Sequence, residues 1–511
     1  MNGTAGTLRW GSGGLGELIP SGLRNLLWMG ITLLALFPIG YLVWTHPAHP
    51  IFISVAALAI IAILLLILYE PISGVWFSLL VVYWNLSNII HMRLHFGWTL
   101  RGLLLWTGLS WWLHRRLESH PHPMRWPLWK GWVAYAGVMA ISTIFAAYPS
   151  AALLNLSGVA KDIILFYLVV NLLLTPRDWH RGIWALLAAG GLLAMPALFQ
   201  GITGSHFDFW GLAPQKYAGL YQQSMGYRAS GALGDPNFFA MVLIALMPLA
   251  LVEIERPGSL RRRLLAGVIL AMMMGASILT YSRAGFLGLL VLGAAFMWHW
   301  RRHLRAWLAI LAAMLIMAGL TPRSYWLRIL SLHQLSHGMY QTSDPSLEGR
   351  RNENLIGLAM LERHPWLGVG PGNYYMVYRR YDVRVGLMPV HGRREAHDLF
   401  METAAETGIL GLAAFLFLLG AAFRNLAITV RQWRRQNRRS GLLWQWSLGL
   451  AMGVYLFLSI FLHDAFFRHF ILILALSQLG FCLAHEAAQS CTQNRQPARV
   501  PASAERLAVE S

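Results

Sequence analysis

The chain has 511 residues, 56% hydrophobic and only 12% charged, with 23 Trp, 23 Phe and a formal net charge of +19. Soluble domains carry about 25% charged residues, and a single soluble core stops growing near ~250–300 residues, so an ordinary soluble enzyme and a disordered chain are both excluded. Cys482 and Cys491 have no zinc-type spacing, which excludes a disulfide framework and argues against a cysteine metal site.

Repeated apolar runs of about 17–25 residues read as membrane spans. Residues 1–25 are polar and Gly-rich, without a signal-peptide cleavage pattern, and read as a cytoplasmic N-terminal segment. Fourteen spans follow, at roughly 26–44, 51–69, 74–90, 98–113, 130–147, 161–174, 182–202, 239–252, 263–279, 284–300, 305–320, 399–423, 442–463 and 466–485. Two of them, 161–174 and 239–252, are short for a crossing; they need extension into polar flanks or a re-entrant path. The chain thus divides into a transmembrane bundle (26–320), one large loop with short helices (321–398), C-terminal transmembrane helices (399–485) and a disordered cytoplasmic tail (486–511). The fold class is all-α: a polytopic integral membrane protein of about 12–14 transmembrane helices.

Loop charge gives the orientation, because Lys and Arg gather on the cytoplasmic side of short loops. Basic groups such as Arg115 and Arg116, Arg261–Arg263, Arg301 and Arg302, and Arg434 and Arg435 alternate with sparsely charged connections. Both termini are expected inside and the 321–398 loop outside. The same bias accounts for the positive charge without nucleic acid. Within the long loop, Glu348–His364 reads as an amphipathic helix with Leu355, Leu358, Ala359 and Leu361 as its apolar positions, broken by Gly368-Val-Gly-Pro-Gly372.

The seven basic residues left on the outer side are Arg93, Arg101, Lys161, Lys216, Arg228, Arg283 and Arg468. Arg283 lies in a tight turn between two spans. It is either a snorkelling anchor or an anion clamp whose planar fork suits phosphate oxygens. Arg228 opens a segment ending in Asp235-Pro236-Asn237, a turn and N-cap signal, and on the same face the two arginines suit a pyrophosphate. His397, at the mouth of the span after the loop, is a structural histidine or a general base near neutral pH. Asp398, Glu402 and Glu406 lie beside it; the last two, at i and i+4, need solvent or cations. His391 and His364 have weaker context. No metal geometry, Walker loop or dinucleotide fingerprint is present.

Five pieces of sequence, in order, resemble the bacterial O-antigen ligase and polymerase superfamily of membrane glycosyltransferases. They are Arg228-Ala-Ser-Gly-Ala-Leu-Gly-Asp-Pro-Asn237; Ser282-Arg283-Ala-Gly285; Arg350 or Arg351 opening a helix; His364-Pro-Trp-Leu-Gly-Val-Gly-Pro-Gly-Asn373-Tyr374; and Ala396-His397-Asp-Leu-Phe-Met-Glu-Thr-Ala-Ala-Glu-Thr-Gly408-Ile-Leu-Gly411. The resemblance covers roughly 130–480. It implies a GT-C-like enzyme of the bacterial inner membrane whose active site faces the periplasm. Its donor is an undecaprenyl-pyrophosphate-linked glycan; its acceptor is the lipid A–core oligosaccharide in a ligase, or another lipid-linked glycan in a polymerase. It implies that Arg228 and Arg283 hold the pyrophosphate, that His397 activates the acceptor hydroxyl, and that the reaction inverts the anomeric centre without metal or cofactor. It extends substrate contact to Arg350, Arg351, Asn237, Asn373, Tyr374, Asp398 and Glu402. Asp398 stands where many relatives carry Asn, and the N-terminal spans are extra. A transporter of lipid-linked glycan stands behind both readings, because the spans are nearly free of charge at mid-depth and show no repeat.

Overall fold

The computed structural model describes residues 50–217, 227–301, 345–385, 394–463 and 467–493, with the single positions Gly319, Trp326 and Ile329. The expected spans 26–44 and 305–320, His391, and the tail beyond Gln493 lie outside the described residues. Met1–Leu66 and Ile67–Ser511 are separate units.

The described residues are almost entirely helical: α1 (Pro50–Tyr69), α2 (Ile72–Tyr83), α3 (Leu86–Leu94), α4 (Thr99–Leu117), α5 (Trp129–Ile144), α6 (Pro149–Leu172) and α7 (Pro176–Thr203), then α8 (Pro236–Glu255), α9 (Leu260–Leu279) and α10 (Arg283–His299). The long loop contributes α11 (Pro345–Arg363) and α12 (Tyr374–Val385), and α13 (Leu399–Arg435), α14 (Arg439–Leu458) and α15 (Phe467–Gln493) complete the order. Among the described residues, seven helices are long and apolar enough to cross a bilayer: α6, α7, α8, α9, α13, α14 with its extension to Phe461, and α15. The chain is therefore an all-helical polytopic membrane protein.

Several spans differ in detail from the sequence reading. The 74–90 run is a broken pair, α2 and α3, bent by 70°. α5 and α10 have 16 and 17 residues, and α4 carries Arg101, His114, Arg115 and Arg116. The 161–174 span starts at Pro149. Asn155, Ser157 and Gly158 interrupt the apolar run and hide the first turns of a 24-residue helix. The last helix continues to Gln493.

α8 is the central helix. Asp235 caps it by accepting from the Asn237 and Phe238 amides, and Pro236 fits the first turn, where no intrahelical donor is needed. It is apolar all round and packs against α9 and α14, so nearly every side chain from Phe238 to Val252 is buried. At its far end the buried Glu253 carboxylate accepts from Trp444 Nε1 (2.7 Å) and Arg256 Nη1 (2.7 Å). Arg125 closes the end of α6 by donating to the Val170, Leu173 and Leu174 carbonyls, and pairs with Glu486 of α15 at 2.7 Å. A buried helix end needs such partners for its orphan carbonyls.

α13 has 37 residues, about 55 Å of helix, so it outreaches a hydrocarbon layer of about 30 Å. It breaks at Gly408, where φ is +69°. The irregular 365–372 segment lies across the break. Val369 and Gly370 donate to the carbonyls of Ala405 and Glu406, and Ile409 donates to Pro365. A Cβ on Gly408 would sit 2.2 Å from the Trp366 backbone, so only glycine fits. Above this junction, α11 and α12 enclose a second small core of Ile356, Met360, Val369, Tyr374, Val377, Tyr378 and Tyr381. A two-stranded antiparallel ribbon, β1 (Gln215–Tyr217) and β2 (Tyr227–Ala229), lies in the connection before α8.

Candidate functional site

Three elements bring the first group of candidates together. Arg228 stands on β2 opposite Lys216. Its Nε donates to the Thr280 carbonyl (2.8 Å) and its Nη2 to Asn237 Oδ1 (3.3 Å). Asn237 Oδ1 also accepts from the Ser282 hydroxyl (2.9 Å), and Ser282 Oγ in turn caps α10 by accepting from the Gly285 amide (3.1 Å). Arg283 is the first residue of α10 and is buried. The turn that delivers it puts Tyr281 at φ +50°, a left-handed conformation that costs a non-glycine residue energy and recurs at functional sites. A guanidinium at a helix N-terminus adds full charge to the positive end of the helix dipole.

The second group assembles around His397. Its Nδ1 lies 2.8 Å from Glu353 Oε2, off the direction of a straight hydrogen bond. The Glu353 side chain is 2% exposed and that of His397 is 35% exposed, so the contact fixes one ring face and leaves the other accessible. Arg394 Nη1 approaches the same carboxylate at 3.4 Å. His463, in the α14–α15 connection, lies edge-on to His397 with ring centroids 6.0 Å apart. Burial and the neighbouring His397 push the His463 imidazole down to about 4, so it is neutral above that pH. Phe238, next to Asn237, packs edge-on to His463 at 4.8 Å. A continuous chain of contacts therefore joins Arg228, Asn237, the start of α8, His463, His397 and Glu353.

Other expected substrate ligands have structural partners. Asp398 caps α13, accepting from the Phe400 and Met401 amides, and burial raises its carboxyl. Asn373 is fully buried and donates to the Val369 carbonyl (3.1 Å). Tyr374, also fully buried, donates through its hydroxyl to the Glu353 carbonyl and so ties α12 to the residue that contacts His397. Glu406 is held by backbone donors: its two oxygens accept from the Gly372 (2.7 Å) and Tyr374 (2.9 Å) amides. Glu402 is buried beside Tyr374. Arg350 and Arg351 are half-buried on α11, three and two residues before Glu353.

Glu353 and His463 are absent from the sequence expectation. The signal for Glu353 was present. The buried stripe of α11 is Gly349, Glu353, Ile356, Gly357 and Met360, not the stripe through Leu358, which is 42% exposed. A carboxylate at i, i+3, i+4, i+7 spacing with apolar residues is a buried charge that requires a partner. His463 carries no comparable local signal, since its role follows from tertiary packing alone.

These features define a polytopic membrane protein with an arginine-bearing helix start and a histidine–carboxylate pair in one polar layer. Residues 268–416 match the family model described as O-antigen ligase, which supports an O-antigen ligase-like family for that stretch of the chain. Members of the family are glycosyltransferase-like enzymes of O-antigen assembly that act on lipid-linked glycans. The matched stretch contains Arg283, Glu353 and His397, whereas Arg228, Asn237 and His463 lie outside it. Comparison with curated proteins returns no match.

Proposed function

We propose that the protein is an O-antigen ligase that transfers a glycan from undecaprenyl pyrophosphate to the lipid A–core oligosaccharide at the periplasmic face of the inner membrane. The observation that carries this reading is the polar layer in which the Arg228–Asn237–Ser282 group and the His397–Glu353 pair are joined through His463.

In the proposed reaction His397 Nε2 removes the proton from an acceptor hydroxyl, while the Glu353 carboxylate, 2.8 Å from Nδ1, balances the imidazolium that forms. The acceptor oxygen bonds to the anomeric carbon from the face opposite the phosphate, so the centre inverts. The carbon–oxygen bond to the pyrophosphate breaks, and the electron pair leaves with the pyrophosphate. Arg228 and Arg283 stabilise that growing charge, which is the larger contribution, since preorganised donors pay no reorganisation cost during the step. Arg228 is held for this by the Thr280 carbonyl and Asn237.

Deleting the gene in its host tests the reading. Lipopolysaccharide is then separated on a gel, with the glycan probed on lipid A–core and on undecaprenyl pyrophosphate. A ligase leaves long chains on the isoprenoid carrier and none on lipid A–core. Single repeat units on lipid A–core without a ladder would instead identify a polymerase, and an unchanged pattern would overturn both.

A further inference from the structure

A second cationic cluster lies outside the layer just described. Arg101 is the third residue of α4, Arg468 the second of α15, and Lys161 and Asp162 sit halfway along α6. Arg101 Nη2 donates to Ser157 Oγ (2.9 Å), and Ser157 and Lys161, four apart, share a face of α6. Arg468 Nε lies 3.8 Å from Asp162 Oδ1, too long for a tight pair. The charges of Arg468, Asp162 and Arg101 all act on Lys161, so among the described residues three half-buried cations face one carboxylate.

The level of this cluster is set by its surroundings. The first turns of α6 stand in the layer of the long loop: the Ala147 amide donates to the Val369 carbonyl (3.0 Å), and a Cβ on Gly372 would meet Asn155. Ile163–Leu172 is apolar apart from Asn171. Arg101 also lies over the ring of Trp98, 5.8 Å to its centroid, and Trp98 is exposed like an interfacial anchor. The cations therefore sit where the apolar half of α6 begins. Excess positive charge at that depth is costly without an anion. Arg468 is five residues from His463, a path of at most roughly 17 Å.

We infer that Arg101, Lys161 and Arg468 form a second anion site, which holds the phosphate of the acceptor lipid while its glycan reaches His397. Arginines suit phosphate oxygens by fork geometry and Lys161 adds a point charge. Asp162 competes with the phosphate for Arg468. The assignment of the ligand to the acceptor rests on the proposed transferase reading; the presence of a lipid-phosphate site does not.

The test uses the full chain in phosphatidylcholine nanodiscs and measures binding of phosphatidic acid by native mass spectrometry. Inorganic phosphate and purified lipid A serve as competitors. The R101Q/R468Q pair should weaken phosphatidic acid binding about tenfold or more, D162N should strengthen it about threefold, and R468K should retain most of it. Lipid A should compete and inorganic phosphate should not.

Wild-type binding by the R101Q/R468Q pair, or weakening by D162N, overturns the site. Competition by inorganic phosphate overturns its lipid character, and failure of lipid A to compete overturns the acceptor assignment. Binding with these signs in a protein that transfers no glycan would fault the transferase reading and leave the lipid-phosphate site standing.

Discussion

At the scale of single residues, Glu353 turns a lone histidine into an oriented one. Its side chain is buried and faces His397 at 2.8 Å, so its removal deprives the imidazolium of its counter-charge. Glu353→Gln should lower kcat by about tenfold or more with little change in KM. An unchanged kcat would make Glu353 a packing residue only. His463 gives a second readout. Its folded value, about 4, lies below the ordinary histidine value of 6.5. Between those values the unfolded chain binds the extra proton, so stability rises with pH across that window and is flat above it. The cost at low pH is about 3 kcal/mol. Thermal stability in detergent should therefore fall as pH drops from 6.5 to 4 in the wild type, and less steeply in His463→Phe.

At the scale of elements, the break at Gly408 and the 365–372 segment form one joint. α13 stops being helical there, and its free carbonyls are taken by the segment that leads from α11 to α12. Glu406 fastens the other edge by accepting two backbone amides. Hydrogen bonds to a charged group contribute about 1.5–3 kcal/mol. Glu406→Gln should therefore loosen the joint, with faster proteolysis within residues 345–385 and a fall in transfer, while the distant α8 core is unchanged. Equal proteolysis and equal transfer would show that Glu406 is dispensable. The glycine run Gly368, Gly370 and Gly372 was legible as a helix breaker. Its use as a clasp on α13 was not, because the pairing joins residues almost 40 positions apart.

At the scale of the whole molecule, 12% charge excluded a soluble chain and the repeated apolar runs long enough to cross a bilayer pointed to an all-helical membrane protein. Asp235 was legible as a cap; Ser282 and Asp398 cap the helices that follow them as well, although Asp398 was expected as a substrate contact. Helix ends were hidden where polar residues interrupt an apolar face, as Asn155 and Ser157 do in α6, or where the chain bends, as between α2 and α3. Of the candidate site, Arg228 and Arg283 stood out because the charge rule disfavours basic residues in connections assigned to the outer side, and His397 because it stands at the mouth of a span. Asn237 was expected as a substrate contact. Glu353 and His463 were not expected, because they gain meaning only when α8, α11 and the α14–α15 connection converge.

That convergence is what the proposed transfer requires, and it is open to one direct measurement. The full chain is placed in proteoliposomes with undecaprenyl-pyrophosphate-linked glycan and lipid A–core, and product is counted for the wild type and for His397→Ala, Arg228→Ala and Arg283→Ala at equal protein. The proposed function predicts transfer by the wild type and a loss of about a hundredfold or more in each variant. Transfer at the wild-type rate by all three variants would contradict it.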